Sequence, residues 1–96
     1  MENAYSSLAI DVPAGSLKSG ISLIQYPLNN RFNQRFNLYK SGSYYKISNL
    51  SSKHFLTTPK KPQYGDQVKQ ETKCDEYYQM WNLEYQGKNL YYIRSV

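Results

Sequence analysis

Few residues in this chain belong to types that do chemistry alone, and their number and spacing exclude most of it. His54 is the single histidine and Cys74 the single cysteine among 96 residues. A site built from His and Cys takes about four such ligands, so no metal is expected, and no motif points to a cofactor. Asp75-Glu76 pairs two carboxylates in sequence, but strand neighbours point to opposite faces, which separates an acid from a base. No glycine-rich phosphate loop is present. The expectation is a protein that binds and does not catalyse. Among the basic residues, Arg31, Arg35, Lys60, Lys61, Lys69 and Lys73 are interleaved with tyrosines. Cations that meet phosphates and rings that stack on bases suit RNA or single-stranded nucleic acid. The same residues read equally as an ordinary solvated surface, since no nucleic-acid motif accompanies them.

The elements that must position these groups are strands. Eleven tyrosines, three phenylalanines and one tryptophan favour the pleated, half-buried surface of a sheet. No segment holds apolar residues at helical spacing for more than about two turns, and Gly, Pro or Asn recurs every ~8–12 residues. Strands are expected near residues 7–12, 21–26, 34–39, 43–48, 54–57, 67–71, 79–85 and 90–94. Turns are expected at Pro13-Ala14-Gly15, Asn29-Asn30, Ser41-Gly42, Asn49 to Ser52, Pro59 to Gly65 and Gln86-Gly87. The class is all-β, in one domain. A chain of this length buries only roughly 60–70% of its unfolded surface, so the core must be modest.

The formal charge of +5 favours an anionic partner but forms no dense block. One cysteine permits no internal disulfide, and Met1 to Ile10 lacks the basic start and apolar stretch of a secretory signal, so a cytoplasmic address is expected. No run approaches the ~20 apolar residues that a bilayer-spanning helix requires, and no membrane partner is expected.

Self-similarity is the strongest signal. Gln34-Arg35-Phe36-Asn37-Leu38 recurs as Gln79-Met80-Trp81-Asn82-Leu83, an interval of 45 residues. Ser43-Tyr44-Tyr45-Lys46-Ile47-Ser48 recurs as Leu90-Tyr91-Tyr92-Ile93-Arg94-Ser95, which places Ile93 46 residues after Ile47. Leu8-Ala9-Ile10-Asp11-Val12 with Gly20 to Gln25 aligns with Phe55-Leu56-Thr57-Thr58 and Gly65 to Gln70. Two landmarks share one period, so the repeat is a unit of about four strands. One repeat covers about 41–86, and the other about 1–40 together with 87–96.

A Gln-x-aromatic motif closing each repeat, preceded by Gly-x-x-apolar-x-Gln and followed by Tyr-x-Ile, resembles the ricin-B-type lectin repeat. The resemblance runs from about Ser7 to Ile93, with Phe36 where Trp is usual. It implies a β-trefoil, in which three such repeats form a six-stranded barrel capped by three hairpins. This chain carries two. A partial trefoil leaves sheet edges and core uncovered, so self-association, docking on a larger protein or ribonucleoprotein, or a longer parent chain must finish it; association or docking is favoured.

In sugar-binding members of that family each competent repeat offers an Asp, an aromatic ring and an Asn. The resemblance places Asp11, Tyr26 and Asn33 at these positions and implies carbohydrate binding. A carboxylate accepts from two hydroxyls, a ring packs on the C–H face, and an amide donates and accepts. The structural alternative is that Asp11 opens the turn at Pro13, Tyr26 packs a hairpin and Asn33 caps a bend. In the second repeat Thr57 or Thr58 stands for the Asp, Glu71 or Thr72 is near the aromatic position, and Tyr78 stands for the Asn, so that site is expected to be dead. Gln34 and Gln79 are expected to satisfy buried backbone groups, while Phe36 and Trp81 fill the core. One shallow site of this kind binds a monosaccharide with about −4 kcal/mol, so avidity would need several copies.

Overall fold

The computed structural model describes residues 1–61 and 63–96. Every regular element of four or more residues among them is a strand, and the only helical pieces are three single 3-10 turns. The expected turn from Pro59 to Gly65 includes Pro62, which lies outside the described residues.

Strand β1 (Ala9–Asp11) is followed by the turn Pro13–Gly15 and by β2 (Ile21–Ser22) and β3 (Ile24–Tyr26). The single strand expected over 21–26 is thus divided, because its halves pair in different directions. β3 pairs antiparallel with β1, whereas β2 pairs with β7 (Lys69–Glu71) of the following repeat. Leu23, at the division, donates its N–H to the Val68 carbonyl at 2.9 Å. β4 (Phe36–Ser41) and β5 (Tyr44–Asn49) form a hairpin whose turn needs Gly42 at φ +63°. β6 (Phe55–Thr57) pairs with β7, and β8 (Trp81–Tyr85) pairs with both β5 and β9 (Tyr91–Ser95).

The strands expected at 34–39 and 79–85 begin later than their motifs. Phe32–Gln34 and Tyr77–Gln79 are 3-10 turns, and the strands start at Phe36 and Trp81. The glutamines explain the shift. Each is buried and its amide bonds to other segments, so the chain curls around it before it can extend.

The core is small, as the length dictates. Ile47, Leu56 and Trp81 are buried together, with Met1, Leu23, Phe36 and Val68 packed against them. Trp81 Nε1 donates to the Leu56 carbonyl at 3.1 Å, which places the indole's one polar atom without cost to the core. Phe36, shorter and without a donor, is only half-buried.

The sequence period reappears in hydrogen bonds. Asn49 Oδ1 accepts from the N–H groups of Ser51 and Ser52, and Asn3 Oδ1 accepts from those of Tyr5 and Ser6. Ser52 Oγ donates to Gln70 Oε1 at 2.7 Å, and Ser6 Oγ donates to Gln25 Oε1 at 3.3 Å. The correspondence then stops. Gln70 Nε2 reaches the carbonyls of Ser16 and Lys18 in the other repeat, at 3.0 and 2.8 Å, and Gln70 is 0% exposed. Gln25 Nε2 has no such partner among the described residues, and Gln25 is exposed. Beside it lies an open apolar groove of about 1140 Å³ lined by Met1, Leu8, Ile10, Leu38, Leu90 and Ile93 among others.

Candidate carbohydrate site

The site begins at the β1–β3 ladder. Its register sets Asp11 opposite Ile24 and Ala9 opposite Tyr26, so Asp11 and Tyr26 lie on one diagonal of the same face. The turn Phe32–Gln34 packs beside this ladder, tied by the Val12 N–H to the Asn33 carbonyl at 3.1 Å. Asp11, Tyr26 and Asn33 are thereby brought to one open cleft of about 620 Å³.

Asp11 is 3% exposed, a burial that a carboxylate tolerates only with donors aimed at it. Gln34 Nε2 donates to Asp11 Oδ2 at 2.8 Å, and Asn33 Nδ2 donates to the same oxygen at 3.3 Å. Oδ1 receives no hydrogen bond from the described residues, and Asp11 is part of the cleft wall. Gln34 is itself fixed: Nε2 also reaches the Pro27 carbonyl at 2.9 Å, and Oε1 accepts the Asn29 N–H at 2.9 Å. The glutamine of the Gln-x-aromatic motif therefore satisfies backbone groups and also orients the carboxylate. Asn33 Nδ2 further donates to the Val12 carbonyl at 3.1 Å. Tyr26 is 53% exposed, a ring presented to solvent at the cleft.

Sequence reasoning missed part of the lining. Ile24, Asn29, Phe32, Ser51 and the turn Pro13–Gly15 also face the cleft. Asn29 and Ser51, the latter from the neighbouring repeat, were legible only as turn residues. Arg31, read in the sequence as one contact of a basic surface, lines this same cleft. The Arg35 guanidinium lies 5.6 Å from the Phe32 ring centroid, whereas the Lys60 ammonium lies 5.8 Å from that of Tyr78, in the other repeat. Lys61 is exposed beside Lys60. Arg31 and Arg35 therefore flank one turn, whereas Lys60 meets a ring of the other.

The corresponding place in the second repeat is differently built. Its ladder sets Thr57 opposite Lys69 and Phe55 opposite Glu71, so Thr57 occupies the position of Asp11 and Glu71 that of Tyr26. Gln79 Nε2 donates to Thr57 Oγ1 at 3.1 Å and to the Thr72 carbonyl at 2.8 Å, while Oε1 accepts the Cys74 N–H at 2.8 Å. The scaffold is conserved between the repeats in geometry, with the carboxylate replaced by a hydroxyl. Glu71 is engaged by Ser19 Oγ at 2.8 Å. Burial, with smaller contributions from Cys74 and Glu76, raises the Tyr78 phenol above its ordinary range.

The ricin-type beta-trefoil lectin domain-like family pattern matches residues 1–69 and again residues 32–96. This chain belongs to that family. Its resemblance to solved structures agrees. The designed three-fold symmetric protein ThreeFoil is 28% identical with a TM-score of 0.86, over 92% of this chain and 64% of its own. The exo-β-1,3-galactanase 1,3Gal43A from Clostridium thermocellum is 28% identical with a TM-score of 0.90, over 98% of this chain and 21% of its own. A mosquitocidal holotoxin shares the fold at 20% identity and a TM-score of 0.85, over 98% of this chain and 12% of its own. None of the curated proteins matches. The lectin-like chain spans less than two thirds of ThreeFoil, and the fold it shares with all three is the β-trefoil.

Proposed function

We propose that this lectin-like domain binds carbohydrate, without turning it over, through the cleft of its first repeat. The observation that carries the reading is the half-used carboxylate of Asp11. One oxygen is held by Gln34 and Asn33, the other takes no hydrogen bond from the described residues, and the residue lines the cleft. A fixed acceptor of this kind suits adjacent hydroxyls. Tyr26 supplies a face for the C–H side of a pyranose, and Asn33 braces the carboxylate. Membership of a lectin-like family and likeness to part of an exo-β-1,3-galactanase support the same class of ligand.

The second repeat supplies the control. Asp11→Thr copies the acceptor that Thr57 already offers Gln79, so it removes the carboxylate while keeping a partner for Gln34. The expected outcome is loss of glycan-array binding with an unchanged circular dichroism spectrum. An unmutated protein that binds no glycan, or a Thr variant that binds as well, overturns the reading.

The uncovered Gln25 edge favours a second role, as an interaction subunit completed by a partner built like a third repeat. Such a partner would supply two carbonyls to Gln25 Nε2 and apolar side chains to the adjoining groove. A second copy of the chain, or a larger protein or ribonucleoprotein carrying such a unit, meets that description. Native mass spectrometry distinguishes them. A stable complex supports the role, and its dissociation by salt would favour an RNA-bearing partner; a chain that stays monomeric and free in lysate counts against it.

A further inference from the structure

We infer that the first-repeat cleft is selective for acidic sugars, with Arg31 as the residue that reads the acid. This inference rests on the carbohydrate reading above and goes one step further, to the class of sugar. Arg31 lines the cleft together with Asp11, Tyr26 and Asn33. The ion pairs of the described residues are Lys46–Asp75 and Arg94–Glu84, so the Arg31 guanidinium has no carboxylate of its own. Its backbone is anchored, because the Arg31 N–H donates to Asn29 Oδ1 at 2.9 Å and the Asn29 N–H donates to Gln34 Oε1. The glutamine that orients Asp11 therefore also fixes the segment that carries the cation. A guanidinium presents a planar fork that matches a carboxylate by two parallel hydrogen bonds.

The comparison between repeats isolates the charge. At the place of Arg31 the second repeat has Glu76, which opens the turn Tyr77–Gln79 as Arg31 opens Phe32–Gln34. That repeat also lacks the carboxylate, the ring and the amide of the first. The cation thus occurs in the repeat whose other residues suit a sugar and is reversed in the one whose residues do not. Asp11 does not cancel this preference. It is a buried acceptor for hydroxyls at one part of the cleft, and an acidic substituent would be turned away from it, toward Arg31.

The test uses matched ligands that differ only in the acid, galactose against galacturonic acid and glucose against glucuronic acid, titrated by NMR into the full chain at low salt. The expected result is that at least one uronic acid binds about threefold to fivefold more tightly than its neutral partner, the strength of one exposed charge pair. Arg31→Gln should bring that ratio to about one, and raised salt should shrink it in the unmutated protein through screening. Asp11→Thr should abolish binding of both members. If neutral sugars bind and the uronic acids bind no better, or if Arg31→Gln leaves the ratio intact, the acid preference is overturned while the carbohydrate reading stands. If neither class binds, both fall.

Discussion

At the scale of single residues, the two repeats run the same experiment with different side chains. Asp11 and Thr57 take the same bond from a buried glutamine, which shows that the position requires an acceptor and that the charge is additional. The glutamines themselves are structural. Gln79 is 1% exposed and satisfies the Cys74 N–H, the Thr72 carbonyl and Thr57. Gln79→Ala should therefore cost about 2–3 kcal/mol by urea denaturation, because it strands buried polar groups. Trp81→Phe tests the aromatic of the same motif. The Phe36 position shows that a phenyl ring is compatible with the turn, but the Leu56 carbonyl would lose its donor. The expected cost is about 1–2 kcal/mol, and a variant as stable as the parent would show that the indole N–H is dispensable. The motif was legible in the sequence because it recurs; its contact with Asp11 was not, since 23 residues separate the partners.

At the scale of elements, a single clamp holds β5 against the loop that leads into the second motif. Lys46, with a side chain only 7% exposed, donates through Nζ to Asp75 Oδ1 at 2.8 Å and to the Cys74 carbonyl at 2.7 Å. The hydrogen bond and charge of Lys46, aided by Lys73, hold the Asp75 carboxyl below the usual carboxylate range. The sign follows by linkage. A depressed folded pKa stabilises the folded state above the unfolded value, and that contribution is lost as pH falls through the folded one. Urea midpoints measured from about pH 6 downward should fall in acid, and Asp75→Asn should flatten that part of the profile without a matching loss at neutral pH beyond the pair itself. An unchanged acid limb in the variant would remove the clamp as its cause. Asp75-Glu76 is rejected in the sequence as an acid and base pair, and in the structure Asp75 is occupied by Lys46. Lys46 was not singled out, because a lysine between a tyrosine and an isoleucine on a strand gives no sign of a partner 29 residues away.

At the scale of the whole molecule, the internal period defines both a joint and its unfilled counterpart. Where the repeats meet, Gln70 is buried against Ser16 and Lys18; where they do not, Gln25 is exposed. Gln25→Ala should thus be nearly neutral, within about 0.5 kcal/mol, in this chain. A chain extended after Val96 by a copy of residues 51–86 should unfold at higher temperature, and there Gln25→Ala should cost about 1–3 kcal/mol by stranding its new partners. Equal costs in the two backgrounds would show that the edge is not a seat for a third unit. The exposed groove beside it, with Leu38, Leu90, Tyr91, Tyr92 and Ile93 more than a third exposed, makes the same point in apolar surface.

The amino-acid sequence alone determined the strand-rich class, the repeat of 45–46 residues and the motif positions, because these depend on local residue preference and on periodicity that one chain displays by itself. It also named Asp11, Tyr26 and Asn33 through resemblance. Only the tertiary structure decided that Thr57 rather than Thr58, and Glu71 rather than Thr72, stand for the first two in the second repeat, since β register settles which side chains share a diagonal. It alone moved Arg31 from a diffuse basic surface into the cleft of Asp11, and divided 21–26 between two partners. Contacts across long separations depend on how the strands pair, and pairing is a property of the folded whole.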